Sequence, residues 1–84
     1  MKNKLLVEVI VPAAEKRFDV LIPPESKMGE VKALMTGIIT ELSEGKFIAD
    51  ATSVICDAES GALLDINMRA SEIGIINGSK LMFV

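Results

Sequence analysis

The chain has 84 residues, half of them apolar, with 9 lysines and arginines against 12 aspartates and glutamates, for a net charge of −3. That length supports a single domain, residues 1–84, whose thin core must leave part of its apolar surface in water. There is no His, Trp or Tyr, and the only aromatics are Phe18, Phe47 and Phe83, so nucleic acid, which is held by clustered cations and stacked on aromatic rings, is not an expected partner.

Cys56 is the single cysteine, which rules out an internal disulfide and suits a reducing compartment, so a cytoplasmic location is expected. The basic opening Met1-Lys2-Asn3-Lys4 followed by Leu5 to Val11 superficially resembles a secretion signal. Glu8 interrupts the apolar run and Pro12 ends it, and no stretch reaches the roughly 20 apolar residues of a membrane span. Neither export nor membrane insertion is expected.

In chain order, Lys4 to Val11 and Arg17 to Ile22 are strand-like, rich in β-branched residues and stopped by Pro12 and by Pro23-Pro24. Joined at Ala13 to Lys16, they make a hairpin. Alternation puts Phe18, Val20 and Ile22 on one face of the second strand and Arg17, Asp19 and Leu21 on the other. In the first strand Glu8 marks the outer parity, so Leu5, Val7, Val9 and Val11 enter the core while Leu6 and Ile10 stay outside.

A helix is predicted from Ser26 or Lys27 to about Ser43, with Gly45 placed to end it. Met28, Val31, Leu34, Met35, Ile38, Ile39 and Leu42 fall in a stripe about 140° wide, suited to lying on a sheet. Gly29, Gly37, Thr36 and Thr40 weaken its intrinsic propensity, so burial must hold it. Phe47 to Ala51 is a connector. Ser53 to Cys56 reads as a third strand and Ala62 to Leu64 as a short fourth, joined by the turn Asp57-Ala58-Glu59-Ser60-Gly61, where Gly61 suits positive φ. Ile66 to Ile76 crosses over, with a helical turn near Ser71 to Ile73, before a last strand from Ser79 to Val84.

This order of elements, with Val31-Lys32-Ala33 on the helix and Gly74-Ile75 ahead of Gly78-Ser79-x-Leu81, resembles ubiquitin: an α+β, ubiquitin-like β-grasp with a mixed sheet of four to five strands and one helix across it. Ile55 to Val84 is also similar to the small bacterial YukD-like proteins associated with type VII (WXG100) secretion, in a strand ending in Asp, a glycine turn, a Leu-Leu pair, Gly-Ile-x-Asn-Gly and a terminal strand. The resemblance implies a non-enzymatic, cytosolic accessory of a secretion apparatus. Two departures stand beside it: no secretion operon is visible from one sequence, and the helix carries more small residues than a typical member.

Conjugated or sulfur-carrying relatives use an extended Gly-Gly end. This sequence has no Gly-Gly and finishes on Val84, so covalent attachment is not expected. A β-grasp adaptor unrelated to secretion, or one that self-associates, stays open as the alternative. Catalysis is not expected either, since Cys56 and the serines have no histidine as base. Asp57, Glu59, Asp65 and Asn67 miss the calcium-loop spacing, because glycine is fifth from Asp57 and no Glu is twelfth. No metal or cofactor is assigned.

Two surfaces suit a protein partner. The first is the outer sheet face, where Leu6, Ile10, Leu21, Met82 and Val84 would form a contiguous apolar patch edged by Glu8, Asp19 and Lys80. The second is a strip of small residues on the solvent side of the helix, Gly29, Ala33 and Gly37, smooth enough for another helix to approach.

Overall fold

The computed structural model describes residues 4–46 and 52–84; the expected connector Phe47 to Ala51 lies outside the described residues. β1 (Leu5–Val11) and β2 (Lys16–Ile22) form the antiparallel hairpin, with Leu5 opposite Ile22 and Val11 opposite Lys16. Pro12 opens a 3₁₀ turn, Pro12–Ala14, that carries the chain round. The long helix α1 (Met28–Leu42) follows, then β3 (Ile55–Asp57), a one-turn helix α2 (Ala70–Ile73) and β4 (Lys80–Phe83). The sheet has four strands in the order β2-β1-β4-β3, with β1 and β4 parallel at its centre.

The alternation read from the hairpin is the alternation observed. Val7, Val9, Val11 and Ile22 are buried, while Leu6 and Leu21 are exposed. They meet Met28, Val31, Met35 and Ile39 from α1 and Ile55, Leu81 and Phe83 from the other strands in one core.

Two expectations are corrected. Ala62 to Leu64 is not a strand: it contributes one isolated bridge, Leu63 to Cys56, because the preceding turn leaves too few residues in register to build a ladder. The apolar stripe of α1 is also not uniformly buried, since Leu34 and Leu42 are 56% and 45% exposed, whereas Ser43 is fully buried.

The two ends of the helix are held by different parts of the molecule. At its start the Met28 and Gly29 N–H groups, which have no partner inside the helix, donate to the carbonyls of Met68 and Ile66. At its far end Glu44 meets Lys16 of β2 at 3.2 Å. One flank, near Gly29 and Lys32, therefore lies against the crossover. The opposite flank carries the exposed Leu34 and the half-buried Ile38.

The glycine-rich segment before β4 has a structural explanation. Gly74 ends α2 in the left-handed conformation at φ 96°. The Asn77 side chain accepts the Leu6 N–H at 2.8 Å, and the Gly78 N–H donates to the Leu6 carbonyl at 2.8 Å. The Asn-Gly turn thus clamps the beginning of β4 to the beginning of β1 and fixes their parallel register.

Candidate protein-interaction surface

The outer face of the sheet is built by the strand parity that leaves the core. The registers set Leu6 beside Leu21, Ile10 between Arg17 and Met82, and Met82 between Ile10 and Cys56. Leu6, Leu21 and Val84 are exposed, Ile10 and Met82 half-buried, and Cys56 buried. Val84 exchanges both backbone hydrogen bonds with Val54, at 3.0 and 2.7 Å, which extends the β3–β4 ladder by one pair.

The charges expected to edge this patch instead cross its middle. Glu8 faces Asp19 on one neighbour and Lys80 on the other, so a belt Asp19–Glu8–Lys80 separates the Leu6–Leu21 pair from the Ile10–Met82 group. Two small apolar areas divided by charge replace the contiguous patch. The cause is the register itself, because the single outward acid of β1 falls midway between its two outward apolar residues.

The helix strip is also altered. A Cβ on Gly29 would lie 3.1 Å from the Ile66 carbonyl oxygen, so this glycine allows the crossover to approach the helix and does not face solvent. Ala33 and Gly37 are exposed, and a Cβ at Gly37 would meet nothing within 4 Å. Thr36 and Thr40 turn their hydroxyls back onto the carbonyls of Lys32 and Thr36.

An apolar groove that sequence reasoning missed lies beside that glycine. Met28 and Lys32 of α1, Val54 and Ile55, and the loop residues Leu63, Leu64 and Ile66 line about 240 Å³ of space. Leu63 is 68% exposed and Ile66 55%. The signal was present as the Leu63-Leu64 pair and Ile66, apolar residues in a segment of turn chemistry where no strand could hide them all.

Two of the acids near the expected turn, Asp57 and Asp65, are engaged locally. Asp57 accepts the Ser60 N–H at 2.8 Å, and hydrogen bonds from Ser60 hold its carboxyl below the usual value. Asp65 accepts the Asn67 N–H at 2.8 Å. Among the described residues no helix is long and apolar enough to cross a membrane.

No protein-family model matches the sequence, and no curated protein matches it. Solved structures do. The chain is similar to the ubiquitin-like domain of the Mycobacterium tuberculosis type VII secretion system protein EccD1, at 16% identity and a TM-score of 0.78, covering 98% of both chains. It is similar to the EccD5 ubiquitin-like domain from Mycobacterium xenopi, at 17% identity and a TM-score of 0.80, covering 98% of this chain and 93% of that one. A chain of a toluene 4-monooxygenase complex also reaches 0.80, at 12% identity and 98% coverage of both. The fold is the ubiquitin-like β-grasp.

Proposed function

We propose that this protein is a non-enzymatic, ubiquitin-like interaction module that acts in the cytosol as an accessory of type VII secretion. The observation that carries the interaction role is the outer sheet face, where the exposed Leu6–Leu21 pair and the Ile10–Met82 group sit on a rigid scaffold beside both signs of charge. The secretion assignment is supported by the full-length likeness to the EccD1 and EccD5 domains, together with the YukD-like pattern of the last thirty residues or so.

Docking is noncovalent in this reading. Val84 is paired with Val54 in the sheet, and the apolar residues of the outer face supply the contact. Two apolar areas split by a charged belt suit a partner with complementary charge between two apolar contacts.

The reading is tested by affinity purification of the native protein with mass spectrometry, beside a variant carrying Leu21→Asp and Ile10→Lys. Components of the secretion machine should accompany the wild type and be lost from the variant, whose circular dichroism stays native. Equal recovery of the same components by both proteins would remove the sheet face. Recovery of partners unrelated to secretion would remove the pathway.

A further inference from the structure

The two edges of the sheet are unlike. β3 is three residues long and is flanked by the Leu63 bridge, whereas β2 runs for seven residues with neither proline nor bulge and, among the described residues, has β1 as its only neighbour in the sheet. Such an edge is a template for another strand.

Which of its backbone groups point outward follows from β1. Leu6 and Glu8 direct their backbone groups to the segment leading into β4, through Gly78 N–H to Leu6 O and Glu8 N–H to Ser79 O. Val7 and Val9 therefore bond to their partners Val20 and Phe18 across the hairpin. Alternation then turns the N–H and C=O groups of Arg17, Asp19 and Leu21 toward the open side.

An incoming antiparallel copy must match these outward residues to each other. Pairing Arg17 with Arg17, or Asp19 with Asp19, sets like charges opposite, and pairing Asp19 with Leu21 leaves both charges unanswered. Arg17 opposite Asp19 is the register that matches opposite charges, and the twofold axis repeats it at both ends with Phe18 facing Phe18 at the centre. Asp19 also lies directly across from Glu8 within the chain, and Arg17 leans toward Glu8 at 3.7 Å. A second Arg17 beside Asp19 would offset that like-charge pair.

The helix supplies a further observation. A twofold axis normal to the sheet places both helices on one side, and the flank of α1 turned away from the crossover carries the exposed Leu34.

We infer that β2 is a self-association edge: two copies of this chain join antiparallel about Phe18, with Arg17 of each paired to Asp19 of the other. This goes beyond the docking role of the sheet face, which the extended sheet would leave open.

Sedimentation equilibrium of the full chain at low salt, with amide exchange followed by NMR, tests it. The wild type should dimerise as concentration rises, and the Arg17 and Asp19 amides should slow in step. Arg17→Glu and Asp19→Lys should each weaken dimerisation about tenfold or more, because the axis doubles every change. Mixing the two variants should restore a heterodimer, since each mismatched charge then meets its opposite. A wild type that stays monomeric into the millimolar range, a dimer whose Arg17 and Asp19 amides exchange freely, or mixed variants that fail to pair would each overturn the inference.

Discussion

The β3 end and the β2 end of the sheet differ in how they are finished. At the β3 end the crossover meets α1 through backbone hydrogen bonds to Met28 and Gly29, and the Asp57 turn closes on itself. At the β2 end the hairpin stops, among the described residues, with its outward groups unanswered in the sheet. The same sheet is closed on one side by its own loops and offered on the other. In a domain of this size, the residues that seal one edge are not available to seal the other.

Large truncations should separate the two ends most. Phe83, fully buried and opposite Ile55 in the core, should cost about 3–5 kcal/mol when changed to alanine. Phe18, half-buried at the open end, should cost about 1–2 kcal/mol. Urea denaturation of both variants compares them, and equal losses would break the contrast.

The two helix glycines sharpen it. Gly37→Ala adds a methyl into open space and should stabilise by roughly 0.5–1 kcal/mol through helix propensity. Gly29→Ala should give none of that gain, because its Cβ would press on the Ile66 carbonyl at 3.1 Å. Paired thermal melts distinguish the two flanks. For the same reason Ala33→Arg should leave partner affinity unchanged by titration calorimetry: with Gly29 covered, the strip is too short to seat a helix.

The smallest effect concerns the turn beside β3. The Asp57 carboxyl is lowered by its Ser60 hydrogen bonds, so its contribution is full above the unfolded carboxylate value and fades as pH falls through the lower folded value. Melting of Asp57→Asn beside the wild type should show a difference at neutral pH that narrows in acid. An NMR titration placing the Asp57 midpoint at or above the ordinary carboxylate value would contradict the turn geometry.

Much of the fold was legible because its signals are local. Pro12 and Pro23 bracket the second strand of the hairpin, strict alternation assigns its faces, and the helical turn expected near Ser71 to Ile73 forms as α2. What was not legible depends on how elements cross. Seven apolar residues define a stripe, but only the packing of α1 in the folded chain decides that Leu34 lies outside and Ser43 inside. Spacing alone makes Gly29 look like Ala33 and Gly37; the carbonyl of Ile66, 37 positions further along the numbering, gives it a different purpose. Of the candidate site, the members of the outer face could be named from parity, but not the belt that divides them, which requires knowing that Glu8 registers with both Asp19 and Lys80.

The Asn77–Leu6 clamp joins positions 71 residues apart and anchors the central strand pair. During synthesis the first hairpin can leave the ribosome and form early, yet β1 stays without its second neighbour until the segment beyond Ser79 has emerged. A chain cut short before Lys80 would lack β4 and leave its central strand β1 exposed to chaperones and proteases.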